Sequence, residues 1–454
     1  MSRIQDLLYI GRSALLAQRI AEWVTQHNIA NANTPGYTRQ EAVLSPGIPI
    51  RMVGAPDLLG TGVEVERIRR MRDIYLDARF WYQQGVFSHW EMREKSLKDI
   101  EEVLSPTAGP NLSDVLTEFW MAWQDLANDP ENMAVRQALI DKADMLCREF
   151  HRLYSHLTDI QRMLDEDVKI KVDRINTIIK QIAKINEDIA KAGGNANDLL
   201  DKRDKLVDEL AKYVNVRADL DEEEVFTVRI GGLIVVQGRE YVEIGLQREE
   251  TGWKLVYTPT GKIMDIEEGE IKGIYEVRDE IIPDFLNKLN TLASTIINEV
   301  NRIHRTGYAL DGITTGLDFF DGTDASDIEV RANIVADPSL IAASADGSPG
   351  NNGIALQIAD LQYKPIMNGG TESFSKYYNS LLTKIGNLVQ DAEGRRQHEE
   401  TFLTSLEDQK QQIEGVDLDE EMLNLMKYQY AYEAAVKMIN ITNEMIDELF
   451  TIIS

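Results

Sequence analysis

The feature that most constrains this chain is a pair of long apolar stripes, one near each end of the sequence. Near the C-terminus Leu418, Met422, Leu425, Gln429, Tyr432, Val436, Ile439, Asn443, Ile446, Phe450 and Ile453 alternate spacings of four and three over five heptads. Only Gln429 and Asn443 interrupt them. Such spacing keeps one face of a helix turned to a partner. A second stripe, Ala435, Met438, Met445, Leu449 and Ile452, lies beside the first, so one partner helix would leave it uncovered and at least two neighbours are expected. Near the N-terminus Leu7, Ile10, Ala14, Ala17, Ala21 and Val24 form a narrower seam whose alanines let another backbone approach closely.

The N-terminal seam runs into "NIANANTPGYTRQ", residues 28–40. Asn28 continues the seam, while Asn31 and Asn33 offer side-chain hydrogen bonds that compete with the helix. Thr34 precedes Pro35 and is biased away from helical angles, which ends the helix at or before Asn33. Pro35-Gly36 suits the centre of a type II turn, and Tyr37-Thr38-Arg39 reads as extended.

The remaining pattern is mainly helical. Helix is expected over residues 65–104, 112–127 and 133–191, the last started by Asp129-Pro130 and ended by "GGNAND"; a helix over "LLDKRDKLVDELAKYV" follows. Residues 214–270 change character: "VFTVRIGGLIVVQGREYVEI" and "WKLVYTPTG" are β-branched, alternating and punctuated by glycine, so they read as hairpins. Helix returns over 281–304 and 374–412, separated by the turn-rich "GYALDGITTGLDFFDGTDASDIEV". The expected fold is mainly α. An elongated helical rod built from both halves of the chain carries an inserted β-rich domain, with coiled-coil-forming terminal helices. The boundaries read as 1–54 for the N-terminal helix and turn, 55–213 and 271–412 for the two halves of the rod, 214–270 for the β insert, and 413–454 for the C-terminal helix.

Composition narrows the partners. The 454 residues carry 48 basic and 76 acidic side chains, a formal charge of -28, which disfavours nucleic acid and anionic membrane surfaces because phosphate attraction needs clustered Lys and Arg. No run of 18 apolar residues is present, and charged residues break up the N-terminal apolar positions, so neither membrane insertion nor a cleavable signal is expected. Cys147 is the only cysteine and reads as a small buried hydrophobe.

Chemistry is sparse. His151 and His156 are five apart and miss the i, i+4 spacing of a helical metal pair. "DFFDGTDASD", residues 318–327, lacks the calcium-loop spacing and reads as a solvated loop; "DEEE", residues 221–224, reads as a charged turn. No nucleophile elbow, phosphate loop or dinucleotide fingerprint occurs. No cofactor, metal or catalytic residue is therefore assigned, and a non-enzymatic role is expected.

Residues 28–40 resemble the signature shared by axial proteins of the bacterial flagellum. Three further stretches, "NDLLDKRDKLVDEL" (197–210), "IAASADGSPGNNGIALQIADL" (341–361) and "GVDLDEEMLNLMKYQYAYEAAVKMINITNEMIDELF" (415–450), narrow the resemblance to the hook-associated protein 1 family of hook–filament junction proteins. It covers both ends and the helical middle. It implies a structural adapter that is exported through the flagellar type III apparatus without a cleaved signal and resides in the extracellular flagellum. It also implies terminal helices that polymerise with other copies and meet the hook protein, a second hook-associated junction protein and an export chaperone.

On this reading the polymerisation interface comprises Leu7, Ile10, Ala14, Ala17, Ala21 and Val24 with Leu425, Tyr432, Val436, Ile439, Ile446 and Phe450. Asn33, Thr34, Pro35, Gly36 and Tyr37 form the turn out of the axial helix, and Val436, Ile439, Ile446 and Phe450 take the chaperone. Another hook or rod protein, a peptidoglycan-acting flagellar enzyme and a cytoplasmic coiled-coil scaffold are the alternatives.

Overall fold

The computed structural model describes residues 2–51, 58–105, 111–193, 196–221 and 225–453. The elements in order begin with α1 (Ser2–Asn31), β1 (Gln40–Pro46), β2 (Ile50–Arg51), β3 (Leu58–Leu59) and β4 (Val63–Arg70). Four helices follow: α2 (Ile74–Leu104), α3 (Leu112–Asn128), α4 (Met133–Ala192) and α5 (Asn197–Tyr213). Next come β5 (Val216–Leu220), β6 (Phe226–Ile230), β7 (Leu233–Gln237), β8 (Glu240–Tyr241), β9 (Ile244–Glu249), β10 (Gly252–Tyr257) and β11 (Lys262–Ile263). Then α6 (Glu270–Glu276) passes through a π-helical turn, Val277–Ile281, into α7 (Ile282–His304). The chain ends with β12 (Phe320–Asp321), β13 (Glu329–Val330), α8 (Ala332–Ala336), α9 (Gly353–Ala359), α10 (Phe374–Glu414) and α11 (Leu418–Ile453).

The mainly helical class, the long terminal helices and the β-rich region follow the expectation. Residues 65–70 do not: they continue β4, which pairs antiparallel with β1 from Gln40↔Arg70 to Pro46↔Val63. Val63 and Val65 alternate with Glu64 and Glu66, a bulge then shifts the register by one residue, and Ile68 and Arg70 continue the covered face, so pairing with β1 and not a helical period fixes the segment. Pro130 does not open α4 either. The helix begins at Met133, where the Asn132 side chain caps the Ala134 amide (2.9 Å).

The chain divides into two compact units. The first takes residues 1–84, 176–243 and 401–454; the second takes 85–175 and 244–400. In the first, α1 packs against α11 and against the β1–β4 ribbon, and a four-stranded antiparallel sheet runs β5-β6-β7-β8. Buried Arg203 on α5 lies 3.5 Å above the Phe226 ring of that sheet.

The second unit has an aromatic core. On α3, opened by a capping box between Asn111 and Asp114, Phe119, Trp120 and Trp123 are fully buried against Phe319, Phe320 and Phe374. The Asn301 side chain holds the turn-rich stretch in place, accepting from the Phe319 and Phe320 amides (2.9 Å each) and donating to Phe320 O (2.8 Å). Burial drives the His304 imidazole down to about 4, so it is neutral at physiological pH. Its Nε2 accepts the Ala342 amide at 2.9 Å. Arg136, also fully buried, spends its guanidinium on the carbonyls of Pro130 and Ile341, each at 2.7 Å. Cys147 is buried, and burial first, then Asp144 and Glu329, pushes its thiol up to about 12. The three-stranded sheet β9–β11 is tied to α4 through Asp165, which accepts from the Trp253 amide and from buried Arg278, each at 2.8 Å.

Candidate functional site

The helix exit at residues 28–40 is held by a dense set of hydrogen bonds in the first unit. Helix α1 ends at Asn31, and Tyr37 N–H donates to Thr34 O (3.1 Å) across Pro35 and Gly36. Gly36 has φ +81°, the value a type II turn requires at its second central position and one costly for a side chain. Asn33, Thr34, Pro35 and Gly36 are exposed, whereas Tyr37 folds back and donates to Asn28 Oδ1 (2.8 Å).

Asn28 is the hub. Its Oδ1 also accepts the Gln40 amide (3.0 Å), while its Nδ2 donates to Gln40 O (2.8 Å) and to Glu421 Oε2 of α11 (3.0 Å). The side chain therefore uses all four of its hydrogen-bonding positions inside the protein. Arg39 clamps the same helix start, donating to Glu421 Oε1 (2.8 Å) and Glu420 Oε1 (2.6 Å). Burial opposes the charge on Arg39, but these two carboxylates outweigh it and hold the guanidinium above its ordinary range.

Helix α5, which carries "NDLLDKRDKLVDEL", supplies the other half. Asp201 accepts the Thr38 amide (3.0 Å) and Arg70 (2.8 Å); Asp204 accepts Arg70 (2.7 Å) and Arg72 (2.5 Å). Asn197 and Asp198 bracket the Gln40 side chain at 3.0 Å each. Beneath them Arg72 reaches Asp77, which also lies 3.1 Å from Lys410. At the end of α10, Glu414 accepts the Arg39 amide through its backbone oxygen (2.8 Å), and burial raises its carboxyl to about 7. Three of the four sequence stretches that carry the resemblance thus meet at one network. Only residues 341–361 lie in the other unit.

The terminal helices meet beside this network. Ala17, Ala21 and Val24 are buried, Ile10 and Ala14 are half-buried, and Leu7 is exposed. On α11, Leu425, Tyr432, Val436, Ile439 and Ile446 are half-buried; the side chains of Leu449, Phe450, Ile452 and Ile453 lie outside the described residues. The centre of the covered face is one step round from the apolar stripe: Glu421, Ala435 and Thr442 are its buried members. Gly11 explains the close approach, since a Cβ there would fall 2.8 Å from Ile439 Cγ1. Sequence reasoning placed Ala435 in the second stripe and passed over Gly11, Glu421 and Thr442; the glycine in an otherwise helical stretch was the available signal.

Covering that seam leaves a second set of apolar residues in solvent. Tyr9, Leu16 and Trp23 recur at intervals of seven on α1 and are 55%, 46% and 69% exposed. Leu16, Ile20 and Trp23 border an open groove of about 550 Å³ together with Arg19, Glu22 and Gln26. On α11 Met422, Leu423, Met426, Tyr430, Met438, Ile441 and Met445 are exposed.

The acidic loop at 318–327 is occupied locally. Asp318 pairs with Arg305, and Asp327 accepts the Thr323 and Asp324 amides (2.7 and 2.8 Å). Among the described residues no group of three or more His, Cys, Asp or Glu side chains is placed to hold a metal, and no helix is long and apolar enough to cross a membrane. Of "DEEE", residues 222–224 lie outside the described residues.

Known proteins match all of these parts. The flagellar hook-associated protein FlgK helical domain matches residues 97–320, the flagella basal body rod protein family matches 8–38, and the C-terminal family of the basal body rod FlgEFG proteins matches 411–452. The chain is 28% identical to flagellar hook-associated protein 1 of Bacillus subtilis over 97% of each chain. It is 25% identical to that of Escherichia coli over 99% of this chain and all of the relative. Over nearly its whole length the chain is similar to flagellar hook-associated protein 1 of these bacteria. The flagellar hook junction protein FlgK from Burkholderia pseudomallei has a similar fold, with a TM-score of 0.64 at 14% identity, over 74% of this chain and 99% of that one. Hook-associated protein 1 relatives therefore share with this chain both the terminal axial segments and the helical domain between them.

Proposed function

We propose that the chain is a structural adapter at the hook–filament junction of the flagellum, joining copies of itself through the outer face of its terminal helix pair. The observation that carries this is the exposed heptad stripe Tyr9–Leu16–Trp23 on a helix whose inner seam α11 already covers. A stripe of that width on a soluble helix calls for a further apolar partner. Within one copy the seam residues bind α1 to α11. Between copies the outer stripes meet in head-to-tail contacts that continue around a tube instead of closing as a two-fold dimer.

The hook protein below, the second junction protein beyond, an extracellular position in the flagellum and export without a cleaved signal complete the reading. It assigns no enzymatic step. Trp23→Glu with Leu16→Glu should leave the helical circular dichroism of the isolated chain unchanged and abolish its incorporation into flagella. Normal incorporation of that variant would refute the reading.

An export chaperone would take the α11 face that carries Val436, Ile439, Ile446 and Phe450. Ile439 is the residue under Gly11 of α1, so chaperone capture and pairing with α1 exclude each other. A pull-down in which Val436→Asp with Ile446→Asp leaves capture unchanged would sink this part.

A further inference from the structure

The first unit contains a second open groove, about 490 Å³, between the C-terminal part of α4 and α5. Ile185 and Leu206 give it an apolar floor, Lys180, Lys184, Lys202 and Lys205 stand around it, and Gln181 and Glu209 complete the lining, so four cations face one carboxylate. Lys180 pairs with Glu243 and Lys184 with Glu187 and Asp188. Lys202 and Lys205 are exposed and have no ion pair among the described residues. In a chain of net charge -28, two unpaired lysines over apolar floor residues form a surface for an acidic, amphipathic partner, because apolar burial fixes position and opposite charge excludes misaligned partners.

The chain carries a segment of that chemistry. On the outer face of α11, Asp419, Leu423, Met426, Tyr430 and Glu433 follow spacings of four, three, four and three. Leu423 and Tyr430 are 63% and 72% exposed, and Met426 is exposed as well. The stripe is apolar in the middle and has a carboxylate at each end, the complement of lysines over Ile185 and Leu206. Both surfaces border the helix-exit turn: the Lys205 stem would lie 3.3 Å from a Cβ at Gly36, and Glu420 and Glu421 at the start of α11 hold Arg39.

We infer that the α4–α5 groove of one copy receives the Asp419–Glu433 face of α11 from the next copy. This rests on the assembly reading above and names the surfaces that meet. Because the two surfaces differ, the contact is heterologous and passes from copy to copy in one direction.

Charge exchange tests it. Lys202→Glu with Lys205→Glu should lower incorporation into flagella at least tenfold, and so should Asp419→Lys with Glu433→Lys. Incorporation should return when all four substitutions are combined in one chain. Circular dichroism of each purified chain establishes that it is folded. A folded lysine variant that incorporates like the unaltered chain, or a combined variant no better than its parents, would overturn the inference.

Cysteines provide a readout that does not depend on tolerating reversed charges, since the one native cysteine is buried. When Leu206→Cys and Met426→Cys chains are mixed and assembled, oxidation should give a disulfide-linked heterodimer; its absence from assembled material would also overturn the inference. Failure of the unaltered chain to incorporate in the same assay would bring down the assembly reading itself.

Discussion

The two tryptophan environments of this protein show what each unit can do alone. Trp123 lies fully buried among Phe119, Phe319 and His304 in the second unit, whereas Trp23 stands mostly in solvent on α1 of the first. One unit completes its apolar core within the chain. The other also buries an apolar core at its four-stranded sheet, where Val228, Ile230, Val235 and Val236 are fully buried, but around α1 it relies on a polar network and an alanine seam and leaves large apolar side chains outside. Self-sufficiency and incompleteness are thus divided between regions of one polypeptide, as a component that must fold and then join others requires.

The strongest way to break this comparison is to truncate both tryptophans. Trp123→Ala should cost ~3–5 kcal/mol in denaturant unfolding of the isolated chain, while Trp23→Ala should change it by less than about 0.5 kcal/mol. Equal losses would mean that Trp23 is already part of a closed core.

Acid should act on the two regions in opposite directions. His304 is held neutral with its value lowered from 6.5 to about 4. The unfolded chain therefore binds a proton first as pH falls through 6.5, and the second unit loses up to about 3 kcal/mol by pH 4. Glu414 is raised to about 7, so the folded first unit takes up its proton first and gains stability between pH 7 and the ordinary carboxylate range, on the order of 1 kcal/mol after screening. Hydrogen exchange at pH 7 and pH 5 should show the Ala342 amide opening more readily in acid and the Arg39 amide less. His304→Gln and Glu414→Gln should each flatten the corresponding change.

Asn28→Leu removes four hydrogen bonds while keeping the branching of the side chain, leaving Tyr37, Gln40 and Glu421 short of partners. A loss of about 2–3 kcal/mol, confined to exchange in the first unit, is the expected result. A smaller effect than that of Asn28→Leu is expected of Gly11→Ala. The helix gains roughly 1 kcal/mol of propensity, but the added Cβ presses on Ile439 Cγ1 and overpacking costs ~1–3 kcal/mol, for a net loss of about 1 kcal/mol that should disappear in an Ile439→Ala background, which removes that carbon.

Much of this architecture was legible in the sequence where the signal is local. The helix exit at Thr34–Tyr37 follows from a proline, a glycine and the steric limits on their neighbours, and α3, α4, α5, α7 and α10 follow from apolar periodicity. The strand at Val63–Arg70 was not legible, because its partner β1 is supplied from about 25 residues away. Nor were the roles of Asp201, Asp204 and Glu421: nothing marks them among 76 acidic residues until the fold sets them against Thr38, Arg70 and Arg39. The terminal stripes were legible as stripes. Which residue lies at the centre of the α1–α11 contact depends on the close approach at Gly11, a property of the pair and not of either helix.

The hydrogen bond from Asn28 to Glu421 spans 393 positions of sequence. A polypeptide that emerges N-terminus first keeps Asn28 waiting until residue 421 arrives, so this contact registers whether the start of α11 is present. A product cut before residue 420 could still form the Pro35-Gly36 bend, but Asn28 and Arg39 would have nothing to grip. Fragments would then be recognisably unfinished at the place where a sound subunit is fastened shut.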